Sequence, residues 1–321
     1  MYWVGKALTS AGITDPLLRE AYGLCRRVLI AADGAKWSAG LLALPPAKRP
    51  AIWALYGFAR WADEIVDSGD PAIRAEELAT YTSRVLEDLE AGHSREPFCM
   101  ALLDTMRTWD IDPHTVRAYL DSMRMSMTGT EYRTYDELRH YTDAAITSVG
   151  RQVLAVLEPS DEEAYARMDA LSTAMYLTDI LKDLAEDLRW GRLYLPLEEL
   201  DAFGVTRAEL ERGHLTPRVR ELMRFQIERV RRLYGEGMAV SGLIHPGGRD
   251  FLHLGTKIFR STLEKIEQRG YDVFTTKPWI TTSQLPGLAL RVGTSMASSR
   301  RRLAGAAGAG GGAKTAGSTA R

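Results

Sequence analysis

The sequence has few cysteines, almost no net charge and no long uninterrupted apolar run. Cys25 and Cys99 are the two cysteines in 321 residues, too few for a disulfide framework or a zinc cluster, so a reducing compartment is expected. A formal net charge of −1 gives no overall attraction to nucleic acid. No apolar run approaches the roughly 20 residues that cross a bilayer, and the N-terminus lacks the pattern of a secretory signal. We therefore expect a cytoplasmic protein whose contact with the inner membrane face, if any, is peripheral.

Strand-like alternation is also nearly absent, whereas apolar residues recur every three or four positions along most of the chain. Apolar residues make up 45 % of the sequence, enough for a sizeable core. The pattern predicts an all-α fold with one domain over residues 17–290, preceded by a short N-terminal segment, residues 1–16. The segments with helical periodicity are 17–34, 45–67, 72–92, 112–129, 161–187, 219–240 and 253–270.

The C-terminal residues 291–321 differ in composition from the rest of the chain. They are rich in Gly and Ala and low in bulky side chains, so they are predicted to be disordered. From Leu288 to the end there are six basic residues and no acidic one. Two interpretations stay open: a solvated tail, or attraction to an anionic membrane surface at roughly 1 kcal/mol per basic residue.

Two sets of aspartates stand at helical spacing on separate apolar segments. Asp63 and Asp67 are four residues apart and project from the same face of a helix. Asp179, Asp183 and Asp187 repeat this spacing over two turns, next to the apolar stretch "ALSTAMYLTDIL". A single such pair is usually a solvated face or a set of surface ion pairs. Two sets on apolar helices favour one shared site, because burying unpaired carboxylates is costly.

Either basic partners or hard divalent cations could neutralise these carboxylates. Tyr56 and Arg60 share the helix face of Asp63, and Arg60 could be a plain ion-pair partner of Asp63 or Glu64. Carboxylate oxygens alone suit Mg²⁺, which shares its other positions with waters and substrate phosphates. Facing carboxylate helices that hold Mg²⁺ can grip a diphosphate as a leaving group.

If that diphosphate is allylic, its loss leaves a carbocation that must be shielded from water by apolar and aromatic side chains. Each apolar residue near the two aspartate segments can equally be ordinary core. Candidate walls of such a pocket are Leu41, Leu44, Trp53, Phe58, Met123, Met127, Val149, Val153 and Tyr176.

Three motifs in order resemble those of the squalene/phytoene synthase family, and most of all its bacterial phytoene synthases. Residues 41–67, "LLALPPAKRPAIWALYGFARWADEIVD", are similar to the first aspartate-rich region of the family. Residues 177–200, "LTDILKDLAEDLRWGRLYLPLEEL", are similar to the second, and residues 263–274, "LEKIEQRGYDVF", to a third family motif. The resemblance covers residues 17–290, nearly the whole domain.

The resemblance implies an isoprenoid synthase fold, a helical bundle around a central cavity. It implies that Asp63 and Asp67 on one side, and Asp183 and Asp187 on the other, are the catalytic carboxylates that hold Mg²⁺, with Mn²⁺ as an alternative ion. Asp179 stands where the family has Asn, and as a charged carboxylate it would hold Mg²⁺ more strongly than an amide.

The implied substrate is a prenyl diphosphate, contacted by Tyr56 and Arg60, with Lys182 and Lys277 as further basic candidates. The implied reaction joins two geranylgeranyl diphosphates head to head, through the cyclopropyl intermediate prephytoene diphosphate, to phytoene, a carotenoid precursor. Three alternatives stay open: a terpene synthase that cyclises a single prenyl diphosphate, a squalene-type synthase acting on farnesyl diphosphate, and a non-catalytic homologue that serves in binding or assembly. Retention of all four catalytic aspartates of the family pattern argues against the non-catalytic homologue.

Several positions depart from the family pattern. Asp33 and Ala35 take the places of a usual His and a basic residue, with Lys36 beside them. Repulsion between Asp33 and a diphosphate is expected to weaken binding unless cations compensate. Tyr176 stands where the family has Gln. Of the segment "YTDAAITSVG" only Tyr141, Val149 and Gly150 match, Phe259 replaces a Tyr, and Thr276 replaces an Arg.

Overall fold

The computed structural model describes residues 2–68, 73–129 and 131–275, and in these ranges the chain is helical without any strand. The all-α prediction is confirmed. Short 3₁₀ segments occur at Pro46–Lys48 and Met238–Gly242, and a π-helical turn occurs at Asp143–Thr147. The helices are α1 (Tyr2–Ser10), α2 (Pro16–Leu41), α3 (Arg49–Ser68), α4 (Arg74–Ala91), α5 (Pro97–Trp109), α6 (Pro113–Thr128), α7 (Tyr135–Thr142), α8 (Ser148–Val156), α9 (Glu163–Arg189), α10 (Leu197–Ala202), α11 (Arg207–Glu211), α12 (Pro217–Gly237) and α13 (Pro246–Gln268).

Some sequence predictions lie outside the described residues. These are Thr276, Lys277 and the C-terminal tail, together with the side chains of Asp33 and of its neighbours Ala35 and Lys36. The domain boundaries at residues 17 and 290 stay a prediction.

Helix boundaries follow ordinary capping chemistry where the sequence signals it. α4 ends at Gly92, whose φ of 70° is the left-handed conformation that glycine adopts without steric cost. α6 begins after Asp112, whose side chain accepts a hydrogen bond from the His114 N–H, and Pro113 occupies the first helical position. The N-terminal residues form α1, which buries Ala7 and Leu8 and contacts the Pro46–Lys48 segment and α3.

The 27-residue helix α9 is the centre of one half of the molecule, where it contacts α8, α11, α12 and α13. Its buried face includes Leu171, Leu181 and Leu184. In the other half, α2, α3 and α5 pack on one another. Helix α8 contacts both α3 and α9, so it stands between the two helices that carry the aspartates.

The contact between α9 and α12 depends on a glycine. A Cβ added at Gly237 would lie 2.5 Å from the backbone nitrogen of Leu171 and 2.7 Å from its Cα, distances that real Cβ atoms do not reach. Because both of these are backbone atoms, the two helices would have to move apart.

We predict that Gly237→Ala destabilises the protein by about 1–3 kcal/mol, through forced separation of α9 and α12. Gly235, two residues earlier in α12, is the matched control, because a Cβ there meets nothing within 4 Å. Gly235→Ala is expected to leave stability unchanged or raise it by up to about 1 kcal/mol. Urea denaturation followed by circular dichroism measures both, and equal stability of the two variants would contradict this account of the helix contact.

Candidate active site

On α3, Asp63 and Asp67 lie on one face together with Arg60. The Arg60 guanidinium is 3.1 Å from Glu64, 3.9 Å from Asp63 and 4.0 Å from Asp67. Arg60 therefore pairs with neighbouring carboxylates, as one of the two interpretations of the sequence expected. The carboxylate closest to Arg60 is that of Glu64. The Tyr119 hydroxyl from α6 lies 2.9 Å from an Asp63 carboxylate oxygen and holds that side chain in place.

On α9, Lys182 lies between the first two aspartates. Its ammonium is 2.5 Å from Asp179 and 3.1 Å from Asp183. Lys182 thus contacts carboxylates in this structure, and its predicted role toward diphosphate stays a prediction. Asp187, one turn further on, has no ion pair within 4.0 Å in the described ranges.

Arg192 joins the two sets electrostatically, and sequence reasoning missed it. Its positive charge lowers the pKa of both Asp67 and Asp187, although burial outweighs it in each case. It is placed there by the turn that ends α9: the Arg192 N–H donates to the Asp187 carbonyl at 2.8 Å and the Gly191 N–H to Leu188 at 3.1 Å. Gly191 has a φ of 77°, so this is a Schellman turn that returns the chain beside Asp187.

The aspartates are partly accessible to solvent. The side chains of Asp63, Asp67, Asp179 and Asp183 keep 38 %, 39 %, 37 % and 41 % of their accessible surface. Burial is nevertheless the main cause that raises the pKa of each, to about 6 for Asp63. Solvent therefore reaches these side chains, while the surrounding protein reduces the hydration of their ionised forms.

Among these aspartates, Asp187 is the one whose ionised form the surroundings disfavour most. Burial, followed by repulsion from Asp183, raises the pKa of Asp187 to about 7, while Arg192 opposes the shift. A carboxyl in this state stays ionised at neutral pH only with a positive partner.

Four tyrosines from three parts of the chain form a cluster in contact with this region. The Tyr141 hydroxyl is 3.0 Å from the Tyr176 hydroxyl, and the Tyr141 ring centroid lies 5.5 Å from Tyr132 and 5.9 Å from Tyr194. Burial raises the pKa of Tyr141 to about 12, and the charge of Asp63 contributes, so Tyr141 lies near the α3 carboxylates as well as α9. The cluster therefore spans the gap between the aspartate helices with neutral aromatic groups.

The residues present fit a hard divalent cation. As the side chains stand, no three acidic, His or Cys side chains in the described part of the chain converge on one point. Mg²⁺ commonly takes only one or two carboxylates and completes its shell with waters and phosphate oxygens. The charges that act on one another here are seven carboxylates and four cations: Asp63, Glu64, Asp67, Asp179, Asp183, Glu186 and Asp187, with Arg60, Arg74, Lys182 and Arg192.

The other predicted residues occupy different environments. Tyr56 is half-buried against the core, on the same helix face as Arg60. Among the candidate walls, Val149 and Val153 project from α8, which stands between α3 and α9. The buried candidates are Leu41, Leu44, Trp53, Phe58 and Met123, and the half-buried ones are Met127, Val149, Val153 and Tyr176.

Comparison with known proteins decides the family. A family model described as squalene/phytoene synthase matches residues 31–284. The phytoene synthase of Arthrospira platensis is 37 % identical over 280 residues, covering 82 % of this chain and 89 % of that protein. The chain belongs to the squalene/phytoene synthase family. Another member, the 15-cis-phytoene synthase of Synechocystis sp., is 33 % identical over 278 residues, covering 83 % of this chain and 82 % of its own.

Solved structures of the squalene/phytoene synthase family share the fold. The squalene synthase HpnC from Alicyclobacillus acidocaldarius has a TM-score of 0.75 and 27 % identity, over 82 % of this chain and 99 % of that one. A dehydrosqualene synthase crystallised with a ligand has a TM-score of 0.75 and 23 % identity, over 88 % and 98 %. The predicted isoprenoid synthase fold is confirmed.

We predict that Asp187→Asn stabilises the metal-free protein at high pH. Because the pKa of Asp187 is raised in the fold, its contribution to stability is largest below the unfolded pKa near 4 and is lost as pH rises through about 7. Removing the charge should therefore raise the melting temperature at pH 8 in EDTA, and by less at pH 5.

Addition of Mg²⁺ and inorganic diphosphate provides the control, because a ligand that binds only the folded state stabilises it. Wild type should then gain melting temperature and Asp187→Asn should gain much less. A variant that melts below wild type at pH 8 in EDTA would contradict the assignment of unfavourable charge to this position.

Proposed function

We propose that this chain is a Mg²⁺-dependent phytoene synthase that joins two geranylgeranyl diphosphates head to head. The observation that carries the proposal is the pair of aspartate sets on α3 and α9, which are linked through the charge of Arg192. We infer that the two sets border one recess. The curated relatives with the same motifs over most of their length are named phytoene synthases. The proposed metal ligands are Asp63, Asp67, Asp179, Asp183 and Asp187.

The side chains bind and orient the diphosphate. Bound Mg²⁺ supplies positive charge that stabilises the diphosphate as it leaves. Without a metal ion, Lys182 and Arg60 pair with the aspartates. If a cation takes over part of this neutralisation, the N–H groups of both side chains can donate to phosphate oxygens. Arg192, between the two sets, adds positive charge at the same end of the recess.

The carbon skeleton is then joined in two ionisations. The C1–O bond of one substrate breaks, its electrons leave with diphosphate, and the 2,3 double bond of the second substrate attacks C1. A proton leaves as the cyclopropane closes, giving prephytoene diphosphate. Ionisation of that diphosphate, rearrangement and loss of a second proton give phytoene. The aromatic cluster around Tyr141 and the apolar side chains of α8 exclude water from these cations.

A squalene-type reaction on farnesyl diphosphate is a second candidate. It is favoured by the 27 % identity and shared fold with a squalene synthase. The ionisations at the aspartates would be the same, but a squalene-type reaction ends with hydride transfer from a reductant to the last cation instead of loss of a proton. The two functions therefore differ in the length of the hydrocarbon tail that the recess admits and in the need for a hydride donor.

Substrate tails and product are strongly apolar, so we also propose peripheral contact with the inner face of a membrane. In the described ranges, no helix has the length and apolar character needed to cross a bilayer.

We predict that the purified protein with Mg²⁺ converts geranylgeranyl diphosphate to a C40 hydrocarbon, detected by mass spectrometry of a hexane extract. Asp183→Ala should reduce this rate by about a thousandfold, since loss of a group that stabilises the leaving charge costs about 4 kcal/mol. Glu163→Gln, an exposed carboxylate at the start of the same helix, is the matched control and should retain full activity.

Other products would redirect the assignment. With a hydride donor added, squalene formed more efficiently from farnesyl diphosphate would establish the squalene-type alternative, and a C20 or C15 olefin would establish cyclisation. Absence of diphosphate release from either substrate would favour a non-catalytic homologue. Wild-type activity in Asp183→Ala would end the assignment of the aspartates.

A further inference from the structure

The turn that follows α9 carries Arg192, and an arginine from another helix holds this turn in place. The guanidinium of Arg207, the first residue of α11, donates a hydrogen bond to the Gly191 carbonyl at 3.1 Å. The same guanidinium donates to the carboxylates of Glu211, at 2.7 Å, and of Glu131. The planar fork of an arginine can bond several acceptors at once, and here it bonds three.

Glu131 extends this support to the other side of Arg192. The backbone of Glu131 pairs with that of Leu193 in an isolated parallel bridge, while its side chain forms the ion pair with Arg207. Gly191 and Leu193, the residues before and after Arg192, are thus both tied to the pair of Arg207 and Glu131. The backbone that bears Arg192 is therefore held on both sides.

The side chain of Arg192 has a support of its own. Its guanidinium carbon lies 5.7 Å from the ring centroid of Trp190, within the range of a cation–π contact. Trp190 is 58 % exposed, so core packing does not account for a large aromatic ring at this position. Within the part of the chain that the structure describes, no carboxylate lies within 4.0 Å of the Arg192 guanidinium. Its N–H groups are thus not paired with an acidic side chain there.

We propose that Arg207 and Trp190 are positioning residues for Arg192. Arg207 fixes the backbone of Arg192 and Trp190 fixes its guanidinium, so that its charge lies near both aspartate sets before a diphosphate binds. A side chain already held in its bound geometry binds more tightly, because less conformational freedom is lost on binding. The inference rests on the proposed function, since it takes diphosphate as the anion that Arg192 binds.

The first test measures the turn without any ligand. Amide hydrogen exchange of Gly191 and Arg192, followed by mass spectrometry, should be about tenfold faster in Arg207→Ala than in wild type, because the turn opens more often. Arg231→Ala is the matched control, since it removes a similar ion pair, with Glu267 of α13, away from the turn. It should leave the exchange of these amides unchanged. Unchanged exchange in Arg207→Ala would overturn the proposal.

The second test measures the Mg²⁺-dependent affinity for inorganic diphosphate by isothermal titration calorimetry, at a temperature where circular dichroism shows every variant folded. Arg207→Ala should weaken binding by about tenfold and Trp190→Ala by about threefold. Trp190→Phe keeps an aromatic face and should bind within about twofold of wild type. Arg231→Ala should bind as wild type does. In an Arg192→Gln background, Arg207→Ala should cause little further loss, because the side chain that it positions is absent.

Defined results would contradict positioning. Equal affinity of Arg207→Ala and wild type would overturn the proposal, and so would losses of Arg207→Ala and Arg192→Gln that add in full. Full affinity in Arg207→Lys would also overturn it, because lysine keeps the positive charge without the fork that bonds three acceptors. If wild type binds no diphosphate while the difference in hydrogen exchange holds, the proposed function fails and the support of the turn by Arg207 stands.

Discussion

Like charges brought near one another from α3 and α9 are the constraint on which the candidate site depends. The aspartates of α3 and α9 all have raised pKa values because burial disfavours their ionised forms. Arg60 and Lys182 neutralise part of the charge on each side, and Arg192 acts on both. The arrangement leaves carboxylate oxygens in excess at one end of the recess. A divalent cation with its own anionic ligand removes this excess, so the arrangement suits a complex of metal ion and diphosphate.

The tyrosine cluster between α3 and α9 adds an aromatic region to the recess. Tyr141 lies close enough to Asp63 to sense its charge, yet it donates or accepts its hydrogen bond with Tyr176 on α9. The resemblance to the family implies Gln at the position of Tyr176, and on that reading a phenol replaces an amide beside the second aspartate set. The substitution keeps a hydrogen-bonding group and adds a ring whose face can stabilise a cation. A charged end for the leaving group therefore adjoins an aromatic region for the carbon chain.

Much of this was accessible from the sequence, for identifiable reasons. Helical periodicity predicted α9 and α12 because each buries a continuous apolar stripe, and the four-residue spacing of Asp63 and Asp67 placed them on one face. Arg192 was missed because its position depends on the left-handed Gly191 that turns the chain back after α9. Tyr119 was missed because its partner Asp63 is 56 residues away, a pairing that local patterns do not encode. The π-helical turn before α8 likewise reflects packing against α6 and α9.

The central claim is that carboxylates of α3 and α9 act on one cation–diphosphate complex. A double-mutant cycle of Asp63→Asn and Asp183→Asn measures this, with the Mg²⁺-dependent affinity for inorganic diphosphate determined by isothermal titration calorimetry. A shared complex predicts non-additive losses, with an interaction energy of about 1 kcal/mol or more. Losses that add to within about 0.5 kcal/mol would mean two independent sites, and would contradict the account.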